Sequence, residues 1–199
     1  MARTTREEKA RTRERLLETA TRGFRAQGVA GTSIPRLMEQ IGLTHGTFYA
    51  HFESKDALVA EAYATGLRDG VERLVRRAEA APPGQGLHAI LARYLGSEHR
   101  DDPAGGCVVP ALAGEVRRQG PAARHAFTVE LRAFAERIAP YLRDPQDQDA
   151  ALALLSGMAG GVLLARAVDD PQLSDRILEA CREHLLAAFA PELPAHERE

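Results

Sequence analysis

The sequence predicts an all-α fold: a small three-helix N-terminal domain that contains a helix-turn-helix, followed by a larger helical C-terminal domain, about nine helices in all. Three observations carry this expectation. Trp is absent and aromatics reach only 5% of 199 residues, a composition rich in Ala and Leu that suits helices better than sheets. Apolar residues recur three and four apart nearly end to end, and no segment sustains the period-two alternation of a half-buried strand. Gly and Pro punctuate the helical runs, so the connections are short.

Taken in order, the first helix should cover residues 7–27, with Leu16, Leu17, Ala20 and Phe24 as its apolar stripe and Gly28 as its stop. Thr32 or Ser33 caps a short second helix that turns Ile34, Leu37, Met38 and Ile41 inward; Pro35 costs little in its first turn, and Gly42 ends it. Thr44 opens a third helix carrying Phe48, Tyr49 and Phe52. From Ser54 a long helix runs to Ala81, with Leu58, Ala62, Tyr63, Leu67, Val71, Leu74 and Ala78 at helical spacing, until Pro82-Pro83-Gly84 breaks it. Further helices are expected over residues 87–99, 107–119, 122–142, 146–168 and 171–190, with a polar tail over 192–199. The domain boundary is placed between residues 1–53 and 54–199.

Several function classes are excluded early. Hydrophobic residues make up 44% and charged residues 27%, as expected of a globular chain. Cys107 and Cys181 cannot build a disulfide framework, and no Cys/His cluster has metal-ligand spacing, so neither metal nor cofactor is expected. The charge-free apolar run over residues 150–165 is shorter than a bilayer span, and the basic N-terminus leads into Glu7 and Glu8 rather than an apolar core; a cytoplasmic protein without membrane contact is the expectation. Enzyme signatures fail as well. His99-Arg100-Asp101 lacks the other elements of a kinase, Gly84-Gln85-Gly86 lacks the strand and final glycine of a dinucleotide site, and no nucleophile elbow occurs.

Charge is unevenly placed. The net is −2, yet residues 1–56 hold 10 Lys and Arg against 7 Asp and Glu, so a basic head sits on an acidic body. Packing Ile34, Leu37, Ile41, Leu43, Phe48 and Phe52 against the first helix leaves Thr44, His45, Gly46, Thr47, Ala50 and His51 outward. That face is slim, polar and free of acids, as entry into a DNA major groove requires. Helix starts at Thr32/Ser33 and Ser54/Lys55 add N–H donors suited to phosphate.

The run Thr47-Phe48-Tyr49-Ala50-His51-Phe52-Glu53-Ser54-Lys55, with Gly31 to Leu43 before it, resembles the TetR/AcrR family of bacterial one-component repressors. The resemblance is close from about Thr12 to Tyr63 and generic beyond. It implies a ligand-responsive regulator that binds an inverted-repeat operator in double-stranded DNA as a homodimer, associated with the nucleoid when bound. It also implies residue roles. Thr32 or Ser33 meets a phosphate; Thr44, His45, Gly46 and Thr47 face base edges or backbone; Tyr49, His51 and Lys55 contact the strand. Pro35 departs from the pattern where relatives carry a polar contact, which Arg36 replaces. Arg3, Arg6, Lys9, Arg11 and Arg13 form a basic arm. A helical adaptor or small-molecule-binding protein without sequence-specific DNA binding is the alternative.

The apolar run over residues 150–165 must be buried on more than one side. With small residues Ala153, Gly157, Gly160 and Gly161, and with Ile177, Cys181 and Leu185 on the last helix, it is the candidate dimer seam. The inner faces of the middle helices supply the candidate ligand-binding residues: Tyr63, Leu67, His88, Leu91, Tyr94, Leu95, Cys107, Leu112, Phe127, Phe134 and Met158. Their lack of charge points to an uncharged or aromatic effector, small and hydrophobic or reactive. Cys107 follows Gly105-Gly106 at a helix start, where the dipole favours a thiolate.

Overall fold

Leu16, Ala20 and Phe24, one turn apart, are wholly buried and fix the first helix, α1 (Arg6–Gln27), until Gly28 stops it at φ +75°. The computed structural model describes residues 6–191; Arg3 of the basic arm and the expected tail at 192–199 lie outside the described residues. α2 (Ile34–Gln40) starts at Ser33, whose hydroxyl accepts from the Arg36 N–H. Thr32 does not share that cap: it is buried, and its hydroxyl donates to the Gly28 carbonyl at 2.9 Å, so it cannot face a phosphate. After Gly42 (φ +74°) the next element is a 3-10 helix, His45–Ala50, tighter than the α-helix expected there.

α3 (Lys55–Glu79), capped by Ser54, is the spine of the molecule. It packs against α1, α4 (Gly86–Tyr94), α6 (Val108–Val116) and α7 (Pro121–Ile138). α8 (Gln148–Ala167) and α9 (Pro171–Phe189) form an outer pair, started by the carboxylates of Asp147 and Asp170. One continuous apolar core runs from Leu16 through Leu58, Tyr63 and Leu91 to Met158 and Leu178. Among the described residues there is no strand.

Two helices end earlier than the sequence pattern suggests. The expected helix over 87–99 breaks after Tyr94, because Gly96 turns extended and Ser97 starts α5 (Ser97–Asp101). The one over 122–142 gives way after Ile138 to a 3-10 turn around Pro140, whose ring nitrogen has no hydrogen to donate. α8 falls within the expected 146–168, and its 20 residues are, by length and composition alone, apolar enough to cross a membrane. In the fold it packs on α4, α5, α6, α7 and α9 through Leu154, Met158 and Val162.

The N-terminal helices are tied to the rest by four polar links. The Lys55 ammonium donates to the carbonyls of Val29 and Thr32 at 2.7 and 2.6 Å. Glu115, near the end of α6, accepts the Val29 N–H at 3.0 Å. Arg25 on α1 donates to the Gly106 carbonyl at 2.9 Å. Arg13 makes a two-pronged ion pair with Glu61, 2.5 Å for each bond, with its guanidinium 4.5 Å from the centre of the Phe52 ring. Arg13 and Lys55 are therefore structural ties before they are anything else. Gly66 lets these layers close, since a Cβ there would lie 2.5 Å from a Val108 methyl and 3.2 Å from one on Thr21.

Lys55→Ala should lower thermal stability by about 2 kcal/mol, because two nearly buried carbonyls lose a charged donor; a lysine used only for phosphate would leave the melting curve unmoved. Gly66→Ala should lower the melting temperature, whereas Gly114→Ala, mid-helix in open space, should raise stability by about 0.5–1 kcal/mol.

Candidate functional site

Phe48 and Phe52 are buried and stacked 5.9 Å apart, and this anchors the 3-10 helix with its other side in solvent. Thr44, His45, Gly46, Tyr49 and Ala50 are exposed there, and Thr47 is half-buried with its hydroxyl 3.0 Å from that of Thr44. Tyr49 is 59% exposed, held upright by edge contacts with Phe48 at 5.2 Å and His45 at 5.8 Å, so its hydroxyl projects outward from a fixed ring. No acid lies between Thr44 and Phe52. Gly46 has no internal reason to be glycine: its φ is not positive, and an added Cβ would meet nothing within 4 Å. Close approach by something outside the chain is what a bare backbone permits at such a point.

Ser33 and Arg36 flank this face and are exposed; Arg36 reaches only Gln27, at 3.3 Å. His51 is half-buried, its Nδ1 unpartnered, and burial together with the nearby charges of Lys9 and Arg13 holds its pKa below the ordinary value. It is neutral at pH 7. Of the expected contact set, then, Ser33, Arg36, Thr44, His45, Gly46, Thr47 and Tyr49 share one surface, His51 sits at its edge, and Thr32 and Lys55 serve the fold.

A second feature lies at the far end of α3. A cavity of about 450 Å³ opens between α3, α4, α7 and the loop joining α5 to α6. Of the expected ligand residues, only Tyr94, Cys107 and Phe134 line it. Tyr63, Leu67, Leu91, Leu112 and Met158 are buried in the core and do not line it; neither do Leu95, His88 and Phe127, the last edge-on to Tyr63 at 6.0 Å. The expectation of an uncharged lining is overturned, because Arg73, Arg76, Arg77 and Arg93 line the cavity. Sequence reasoning missed them since arginines at one-turn spacing on a long helix read as a solvated face. Gly70, one turn earlier on the same side, was the available signal.

The loop at the cavity is held by His99. Its Nδ1 donates to the Tyr94 carbonyl at 2.7 Å, and its Nε2 accepts the Cys107 N–H at 2.8 Å. Burial pushes its pKa down to about 4, with Arg166, Arg93 and Arg73 adding to the effect, so the ring is neutral and both nitrogens are used. Cys107 caps α6, its sulfur 3.4 Å from the Val109 N–H. Burial nonetheless raises its thiol above the ordinary value, which reverses the thiolate expected from the helix start alone. The Tyr94 ring is 2% exposed, and its hydroxyl has the Cys107 sulfur, a weak acceptor, beside it.

The expected dimer seam is partly used inside the chain. An added Cβ on Gly157 would lie 2.9 Å from Leu185, and one on Gly161 3.0 Å from the Cys181 sulfur, so these residues seat α9 on α8. Ile177 is half-buried against the same core. Ala153 and Gly160 point away from α9, beside Leu163 and Leu164, which are 52% and 54% exposed.

Comparison with known proteins places this architecture. Residues 16–62 match the family model for bacterial regulatory proteins of the tetR family. The HTH-type transcriptional regulator TtgR of Pseudomonas putida is 38% identical over 79 residues, covering 40% of this chain and 37% of TtgR. AcrR of Shigella flexneri is 40% identical over 63 residues, covering 32% of this chain and 29% of AcrR. These matches span well under half the length of either relative. The fold extends further: a TetR-family regulator from Cytophaga hutchinsonii superposes with a TM-score of 0.77 at 22% identity, covering 94% of this chain and 98% of that one. The motif at 16–62 is thus similar to that of the tetR family of bacterial regulatory proteins, and the helical fold around it is shared with solved regulators of that family.

Proposed function

We propose that this protein is a DNA-binding transcriptional regulator, a repressor that grips an inverted-repeat operator as a homodimer and lets go when a small molecule occupies its C-terminal domain. The observation that carries the reading is the acid-free face of the 3-10 helix, with Gly46 bare where nothing inside the chain requires it. Thr44, His45, Gly46 and Thr47 read base edges; Tyr49, with Ser33 and Arg36, meets phosphates and sets register. In this division residues 1–53 form the reading domain and 54–199 the sensing and pairing domain, and the protein works in the cytoplasm at the nucleoid.

The occupant proposed for the exposed stripe of α8, Ala153, Gly160, Leu163 and Leu164, is a second copy of the chain. Leu152 and Leu173, each 42% exposed, border it. Small residues among leucines allow two such faces to approach closely, and pairing would cover apolar surface that a lone protomer leaves in water. Release then has two physical routes. α3 spans from the Lys55 clamp to the cavity wall, and α6 runs from Cys107 at the cavity to Glu115 at the Val29 N–H, about 12 Å at helical rise. Movement of either shifts the reading face, and the ligand acts by its differential affinity for the two positions.

In gel-shift and anisotropy titrations with DNA from upstream of its own gene, binding should weaken steeply as salt rises. Gly46→Leu should melt as wild type yet bind at least tenfold more weakly; Tyr49→Phe should lose about 1 kcal/mol on every sequence alike, while Thr47→Ala should alter preference among operator variants. Absence of sequence preference in the wild type would favour the adaptor reading. Light scattering should give a dimer, and Leu163→Glu with Leu164→Glu should give a folded monomer; a wild-type monomer at micromolar concentration would end the pairing claim.

A further inference from the structure

We propose that the cavity beside Tyr94 is a binding site for an organic carboxylate, its apolar body against Leu74 and Phe134 and its anionic head among Arg73, Arg77 and Arg93. This deepens the effector reading above by naming the chemistry the sensing site selects.

The charge balance is one-sided. Four arginines line the cavity and no aspartate or glutamate does. Arg76 is matched by Glu72 at 3.3 Å. Arg73 and Arg77 have neither ion pair nor hydrogen bond among the described residues, and Arg93 has only the exposed Glu98, 3.8 Å away, with its Nη1 buried and lacking a hydrogen bond. The neighbouring groove along α1 shares Arg73, Arg93 and Gly105 and adds Arg22 and Arg25. Arg25 Nε is likewise buried without a partner. That groove also holds Glu14, Glu18 and Asp69, none of which pairs with these arginines. Asp102, in the loop, accepts the Gly105 N–H at 2.9 Å, and its charge acts on Arg25 and Arg166. Guanidinium groups kept together without counter-charge repel one another, and an anion supplied from solution relieves that.

The second observation is independent of charge. The Tyr94 hydroxyl is buried, lines the cavity and has only the weak acceptor sulfur of Cys107 beside it, so most of the cost of its burial, about 1–3 kcal/mol, stands. A ligand oxygen within reach removes the cost. The apolar part of the lining, Leu74, Tyr94, Cys107 and Phe134, suits a carbon body better than a free inorganic ion, and about 450 Å³ accommodates one of small-molecule size. A carboxylate on an aromatic or branched hydrocarbon satisfies all three demands at once.

The test uses calorimetric titration of the full-length protein, without DNA, against benzoate, 2-naphthoate, indole-3-acetate and octanoate, each paired with its primary amide. At least one carboxylate should bind, and at least tenfold tighter than its amide. Arg73→Gln with Arg77→Gln should melt as wild type, since neither side chain has a partner to lose, and should erase that preference. Tyr94→Phe should bind the carboxylate at least threefold more weakly while melting close to wild type when empty, whereas a purely structural tyrosine would leave binding unchanged. The proposal is overturned if no carboxylate in the panel binds, if amides bind equally well, or if the double arginine variant keeps the preference. Operator release is read separately. A carboxylate that binds and leaves the operator complex intact supports the site and removes only its role as effector; intact operator recognition with no carboxylate bound removes the site alone.

Discussion

Everything in this molecule hangs on α3. Twenty-five residues of helix, apolar on the sides facing α1, α4, α6 and α7, bury one end under α1 and expose the other beside the cavity. A helix of that length is stiff, so the two ends cannot move independently. The Lys55 ammonium makes the joint at its start. A compact donor with three hydrogens turns toward two convergent carbonyls. That lysine is one of only two in a chain with 24 arginines. Through those two carbonyls it fixes the loop between α1 and α2.

Much of this was legible beforehand because it rests on local signals. Helix starts at Ser33, Ser54 and Asp170 were readable from side chains that satisfy orphan N–H groups, and stops at Gly28 and Gly42 from residues that tolerate positive φ. The buried pair Phe48 and Phe52, and hence the outward face between them, followed from spacing. The break at Gly96 did not, since a lone glycine inside an apolar pattern carries no direction and only tertiary packing decides it.

The sites were less legible than the fold, for one physical reason. A sequence shows which residues are apolar, and apolar residues fill space rather than enclose it. Leu67, Leu112 and Met158 looked like pocket walls and are solid core. The cavity forms where large side chains are missing, at Gly70, Gly105 and Gly106, and its boundary is completed by arginines whose position depends on how α3 meets α4. The small residues of α8 misled similarly: Gly157 and Gly161 admit α9, and only Ala153 and Gly160 remain open to a partner.

The choice of guanidinium at the cavity has a consequence for how the protein would register acidity. Guanidinium stays protonated across any cytoplasmic condition, and the one imidazole nearby, His99, is neutral and fully bonded. Burial moves the other groups of the wall toward their uncharged forms, Tyr94 and Cys107 upward and His99 downward. A weak acid arriving there would be sorted by its own dissociation constant, and the cell's internal pH would enter the response through the small molecule rather than through the receptor.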